Sequence, residues 1–343
     1  MQNSLWKRPE LVFTASSLLE LTAALDDGQT FFITDDSQQE KLQKLPLLRV
    51  IDSNCARNIE AIMAVSGKAA RYVGVGGCAA LDVARACAHV ADRPLLLIPT
   101  FLSTSCISVD RSVLKYEGKF RASKTRAPET VFILDEFLET ADNPTVLRAA
   151  RAGFGDFFAG ISAAIDYSFQ RGNFSRSEIE ELAAFYFNAV DWVLNRFNGF
   201  NRMAMRRLAR YSHASSLMVI KRGNTELSAG GEHKLYYAIM ESHLYNGALK
   251  PFHGELVAAG SLMNVWAFAR QTGSYDLLKK FRTMCAHLGL PVDLAGLEQI
   301  GLSCADMVAG LVHIESSGSL LAVTAREISP ESFVRKVFDE QSE

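Results

Sequence analysis

The chain has no apolar run approaching the ~20 residues that a helix needs to cross a bilayer, so a membrane-spanning protein is not expected. It also lacks a strong charge of either sign: 36 basic residues stand against 38 acidic ones, a net charge of -2. That balance gives no global field to draw in nucleic acid or an anionic membrane surface, so neither is an expected partner and an anionic ligand must be held locally. Cysteine is sparse. Cys55, Cys78, Cys87, Cys106, Cys285 and Cys304 form no C-x-x-C pair, which argues against a zinc ribbon or a disulfide framework and for reduced, mostly buried thiols. There is no internal repeat and no low-complexity tract. MQNSLWKRPELVF runs into Glu10, Glu20, Asp26 and Asp27 without a clean apolar block or a small-residue cleavage site, the pattern expected of a cytoplasmic start.

What is present is ordinary globular composition, 48% hydrophobic and 22% charged. A length of 343 residues exceeds the roughly 250–300 at which one hydrophobic core stops growing, so two domains with a cleft are expected. Up to Asp135, short apolar runs alternate with helical patterns: TFFIT at Thr30, LLRVID at Leu47, YVGVGG at Tyr72, LLLIPT at Leu95 and VFILD at Val131. Such alternation reads as βαβ units around a parallel sheet. After Pro144 the strand signals nearly vanish and long helical patterns follow. The expected fold is therefore an N-terminal Rossmann-like α/β domain over residues 1–142 and an all-α domain over residues 143–343, with the boundary near Asp142 to Pro144.

In YVGVGGCAALDVARACA, Gly74, Gly76 and Gly77 end a predicted strand and open a helix. Glycines there let the backbone approach a pyrophosphate at the positive end of the helix dipole. Cys78 and Ala79 break the G-x-G-x-x-G spacing, so a plain tight turn is an equal reading. Asp35 ends the first predicted strand, placed either to accept hydrogen bonds from a ribose or to cap a helix. IPTFLSTS offers the hydroxyls of Thr100, Ser103, Thr104 and Ser105 at a strand's carboxyl end, where ligands of open α/β sheets bind. With Asp82 on the helix after the turn, the candidate cofactor-binding set is Asp35, Gly76, Gly77, Asp82, Thr100 and Ser103.

FGDFFAGISAAI carries one charge, Asp156, on an otherwise apolar helix beside Gly155, Ala159 and Gly160. A buried carboxylate needs a cation, an arginine or a solvent channel. His233 in SAGGEHKLYYAIM and His253 in KPFHGELVAAG each sit in the first turn of a predicted helix, where the dipole disfavours imidazolium and leaves the neutral ring that a metal takes. Singly, each histidine is more often a packed or surface residue. His89, His213, His243, His287 and His313 show no comparable context. An Asp/His/His donor set suits Zn²⁺ or Fe²⁺, then Ni²⁺ or Mn²⁺, and leaves coordination positions open for substrate.

Taken in order, GVGGCAALDVARACA, LLLIPTFLSTS, LRAARAGFGDFFAGISAAIDY, GGEHKLYYAIM and FHGELVAAG make the chain resemble the dehydroquinate-synthase-like superfamily over roughly Phe31 to Phe268. That superfamily includes iron-type alcohol, glycerol and sn-glycerol-1-phosphate dehydrogenases. The resemblance implies that Asp156, His233 and His253 bind a catalytic metal, that NAD or NADP is the cofactor, and that the AGFGD wording is closest to the glycerol-1-phosphate branch. Dehydroquinate synthases typically carry Glu at that metal position. The chain departs from the family at Cys78, where a third glycine is usual, at Arg85, where a lysine is usual, and at Ser105, where an aspartate contacts substrate.

The expected reaction is hydride transfer between a small polyol or polyol phosphate, such as glycerol or sn-glycerol 1-phosphate/dihydroxyacetone phosphate, and a nicotinamide lying across Gly76 and Gly77. Ser105 and Lys119 are the candidate substrate contacts. A substrate phosphate would be met by KFRASKTR, with Lys119, Arg121, Lys124 and Arg126, or by Lys221 and Arg222; a solvated loop is the competing reading. Two rivals remain. One is a sugar-phosphate cyclase, to which VDRSVLKYEGK with Asp110 and Lys119 has a faint likeness. The other is a non-catalytic nucleotide-binding relative, which Ser105 motivates. Asp35 tilts the cofactor toward NAD, and the metal's identity and a homodimeric assembly are left open.

Overall fold

The computed structural model describes residues 8–139, 143–241 and 249–339. Asp142, at the expected domain boundary, and His243 lie outside them. Two compact units emerge, Met1–Leu147 with Phe200–Lys221, and Arg148–Gly199 with Arg222–Glu343.

The first unit opens with β1 (Glu10–Thr14), α1 (Leu18–Leu25), β2 (Thr30–Asp35), α2 (Gln39–Leu42), β3 (Leu48–Ile51) and α3 (Ala56–Val65). It continues through β4 (Arg71–Gly76), α4 (Cys78–Ala91), β5 (Leu95–Pro99), β6 (Arg111–Tyr116), β7 (Lys119–Lys124) and β8 (Thr130–Leu134). Six strands form one sheet in the order β1-β8-β5-β4-β2-β3, every pair parallel. All-parallel strands are covered on both faces, which is why β4 and β5 read as continuous apolar runs. On one face Phe32, Val73, Val75, Leu96, Ile98 and Leu134 pack with Leu18 and Leu42. On α4, Ala80, Val83, Ala84 and Ala88 are buried. Gly74 lets that helix lie close, since a Cβ there would stand 2.7 Å from Ala84 Cβ and 2.9 Å from Leu97 Cδ2.

The helical stretch after Pro144 comprises α5 (Pro144–Gln170), α6 (Arg176–Leu182), α7 (Ala184–Arg196), α8 (Arg202–Arg222), α9 (Gly231–Glu241) and α10 (His253–Thr272). Then come α11 (Tyr275–Leu288), α12 (Leu294–Gln299), α13 (Cys304–His313), α14 (Leu320–Ile328) and α15 (Pro330–Phe338). Among the described residues no helix is long and apolar enough to cross a membrane. The α8 helix groups with the first unit: Arg206 makes a forked ion pair with Asp135 at 2.7 and 2.9 Å, and Arg206 and Arg210 lie over the Phe13 ring. In the second unit, α5 and α10 cross at their glycines. A Cβ on Gly254 would fall 1.8 Å from the Ala152 carbonyl oxygen, and one on Gly155 would fall 2.3 Å from the Gly254 carbonyl oxygen. Arg148 on α5 also grips Glu255 on α10 through two 2.7 Å bonds. These contacts fix the residues on either side of the glycines, and those residues carry the chemistry.

Candidate active site

In the first unit, the carboxyl ends of the adjacent strands β2, β4 and β5 carry Asp35, Gly76 and Thr100. Gly76 has φ +138°, a conformation that glycine alone adopts readily, and a Cβ there would meet Asp35 Oδ2 at 2.3 Å. The Asp35 carboxylate accepts the Gly77 N–H at 2.7 Å and, as cap of the short turn Asp36–Gln38, the Ser37 N–H at 3.1 Å. Asp35 therefore caps that turn and also braces the glycine corner. No side chain caps the N-terminus of α4, and among the described residues the buried Thr100 hydroxyl has no hydrogen-bond partner. A helix N-terminus without a side-chain cap beside that hydroxyl, at the strand ends where open α/β sheets bind ligands, fits a pyrophosphate-bearing nucleotide.

Asp82 is engaged by its own helix: it pairs with Arg85 at 2.8 Å, and burial pushes its carboxyl up to about 6 against the pull of the Arg85 charge. Arg85 in turn donates to the Cys106 and Ile107 carbonyls at 2.6 and 3.1 Å, so this pair ties α4 to the loop after β5. Ser103 Oγ lies 3.4 Å from Cys78 Sγ. Ser105 is buried, and its carbonyl accepts the Ser216 hydroxyl. Lys119 is exposed and opens β7, which pairs antiparallel with β6. The reading of KFRASKTR as a loop is thereby corrected. Its run of charges hides a strand whose partner supplies the order; Arg121 lies over the Tyr116 ring, and Arg126 pairs with Asp92.

In the second unit, Asp156 on α5, His233 on α9 and His253 on α10 converge. Asp156 Oδ1 is 3.3 Å from His233 Nε2 and 3.1 Å from His253 Nε2, and the two nitrogens are 3.2 Å apart. Among the described residues this is the one cluster of three metal-capable groups. Asp156 is 3% exposed and buried in an apolar helix, whereas 22% of the His253 side chain remains accessible, so the cluster is open on that side. Tyr236 stands edge-on to the His253 ring at 4.3 Å. His233 Nδ1 faces Glu232 Oε1 at 2.8 Å, so with its proton on Nδ1 the ring turns a lone pair toward Asp156 and His253. Three acceptors aimed at one point require a cation between them. A tetrahedral ion with ligand bonds near 2.0 Å has ligand-to-ligand edges of about 3.3 Å, so the donor set fits a divalent metal.

Without a metal, protons do that work. Burial would raise the Asp156 carboxyl, but the His253 charge and hydrogen bonds from both histidines hold it well below the usual carboxylate range. Burial likewise opposes charge on His233, yet Asp156 and Glu232 outweigh it and push the ring up to about 10. In the metal-free chain the two carboxylates thus outweigh the helix end at His233. The signs follow. Protonated His233 stabilises the metal-free chain fully below its ordinary 6.5, and this contribution is lost as pH rises toward about 10. A metal must displace that proton, so the rise in Tm caused by Zn²⁺ should grow from about pH 6 to about pH 9. A gain that shrinks or stays flat over that range contradicts the assignment.

Residues 25–141 match the family model of iron-containing alcohol dehydrogenase. The chain is 26% identical over 247 residues to a glycerol-1-phosphate dehydrogenase of Sulfolobus acidocaldarius, covering 71% of this chain and 66% of that protein. The corresponding protein of Archaeoglobus fulgidus is 23% identical over 207 residues, covering 60% and 57%. The chain thus spans just under two thirds of the length of these relatives, or less. In structure it is similar to a probable glycerol dehydrogenase from Sinorhizobium meliloti, with TM-score 0.71 and 20% identity over 96% of this chain and 98% of that one. Glycerol dehydrogenase from Schizosaccharomyces pombe follows, with TM-score 0.62 and 16% identity over 96% and 90%. The resemblance to the dehydroquinate-synthase-like superfamily, and to its iron-type alcohol and glycerol-1-phosphate dehydrogenase branch, is borne out.

Proposed function

We propose that the chain is a metal-dependent, NAD(P)-linked dehydrogenase of a small polyol or polyol phosphate, the class of glycerol or sn-glycerol 1-phosphate/dihydroxyacetone phosphate, acting in the cytoplasm. The observation that carries this is the meeting of Asp156, His233 and His253 within 3.3 Å of one another, in a chain similar to glycerol-1-phosphate dehydrogenases. When bound, a divalent ion supplies Lewis-acid stabilisation of the charge that develops on a substrate oxygen, and the nicotinamide supplies or takes the hydride. Asp156 brings the one formal negative charge among the three ligands, and the imidazoles complete a set that leaves coordination positions open. His253, the most accessible of the three, marks the side from which substrate enters. The first turn of α4 points backbone N–H groups toward the pyrophosphate, and the Thr100 hydroxyl offers a further contact.

The test is spectrophotometric. Dihydroxyacetone phosphate or glycerol should give a net, chelator-sensitive change in nicotinamide absorbance. Metal-dependent conversion of a sugar phosphate with no net change would favour a cyclase instead. Asp35 also makes the cofactor preference testable. A carboxylate within a few ångströms of a 2′-phosphate costs on the order of 1–4 kcal/mol, so NADH should be preferred to NADPH by about tenfold or more. Asp35→Ser, which can keep the cap on Ser37, should shift the ratio of kcat/KM toward NADPH by a similar factor; an unmoved ratio removes Asp35 from cofactor recognition.

A further inference from the structure

We infer that Glu232, which carries no ligand role in the reading above, is the positioning residue of the metal centre, fixing the tautomer and ring plane of His233 and adding a second negative charge behind it. The inference rests on the metal assignment of Asp156, His233 and His253.

Glu232 is wholly buried. Its Oε1 accepts from His233 Nδ1 at 2.8 Å and from the Gly230 N–H at 2.6 Å, while Oε2 accepts the Ser162 hydroxyl at 2.7 Å. Ser162 is held from the other side by Asn264, whose amide donates to its Oγ at 2.9 Å and to its carbonyl at 3.1 Å. Ser162 belongs to α5 and Asn264 to α10, so the network joins the same three helices that deliver Asp156, His233 and His253. Gly260 makes room for it: a Cβ there would stand 3.0 Å from Glu232 Cβ. With Nδ1 committed as donor to Glu232, the His233 lone pair is confined to Nε2, the atom that faces the cluster.

Orientation alone would need only a neutral acceptor, which glutamine supplies without the several kcal/mol that burying an unpaired carboxylate costs. A retained charge makes physical sense beside a cation. Asp156 and Glu232 together carry two negative charges, the complement of a divalent ion with two neutral imidazoles. Groups that hydrogen-bond a ligating imidazole commonly set metal affinity by 10–100-fold.

The experiment uses the full chain as wild type, Glu232→Gln and Glu232→Leu. Each is stripped with chelator, reloaded, and measured for Zn²⁺ affinity by chelator competition and for the visible spectrum of its Co²⁺ form. Glu232→Gln keeps the acceptor and removes the charge, so Zn²⁺ should bind about 10-fold more weakly. Glu232→Leu removes both, so binding should weaken by about 100-fold with an altered Co²⁺ spectrum. Affinity and spectrum equal to wild type in both variants overturn the inference. Should Glu232→Leu fail to fold, Glu232→Gln decides alone, a weaker affinity supporting the inference and an unchanged one overturning it. A wild-type chain that binds no Zn²⁺ at all overturns the metal assignment and this inference with it, an outcome distinct from wild-type binding that the variants leave unaltered.

Discussion

Asp156→Asn should leave a folded chain with kcat/KM lower by roughly 10³-fold or more. The substitution is isosteric, so the apolar surroundings of α5 are not repacked, and only the charge and the identity of one atom change. That charge sits where both imidazole nitrogens point, 3.1 and 3.3 Å away. An amide binds a divalent ion weakly through oxygen and repels it through nitrogen. Several kcal/mol of Lewis-acid stabilisation, at 1.36 kcal/mol per decade, corresponds to the stated loss. Steady-state kinetics with elemental analysis checks it, and circular dichroism confirms the fold. Turnover within about tenfold of wild type would mean that Asp156 is a structural acid paired to histidine.

Gly254→Ala should cost about 3 kcal/mol or more and disable the centre at the same time. A methyl group at Gly254 would lie 1.8 Å from the Ala152 carbonyl oxygen and 2.5 Å from its carbon. Both are backbone atoms of α5, and neither can swing aside as a side chain would. The helices must separate at the crossing where Gly254 follows His253 and Gly155 precedes Asp156, so the strain is released directly into the ligand positions. The unfolding transition should fall by roughly 6 °C or more, and Zn²⁺ affinity should fall with it. Gly67→Ala provides the contrast, because nothing lies within 4 Å of a Cβ there. Wild-type stability and metal binding in Gly254→Ala would show that the crossing tolerates expansion.

The parts legible in sequence were those with a local signature. Buried parallel strands leave apolar runs, which is how β2, β3, β4, β5 and β8 could be read, and Asp156 stood out as one charge in an apolar helix. His233 and His253 were marked by their places in the first turns of helices. Other features had no local sign. No residue of β1 is fully buried, so it leaves no buried apolar run, and β7, KFRASK, is exposed at every position but Phe120 and pairs with β6. A helical period says nothing about which unit a helix joins, so the Arg206–Asp135 fork that draws α8 to the first unit was invisible. Glu232 was overlooked for a similar reason. An acid in the first turn of a helix is already explained by the dipole, and only the coordinates reveal the imidazole, serine and backbone amide it serves.

The most direct test of the account is anomalous diffraction from crystals of the metal-loaded chain. The account predicts a single strong peak about 2.0–2.2 Å from Asp156 Oδ1, His233 Nε2 and His253 Nε2. A loaded chain whose peak lies away from these three atoms would contradict it.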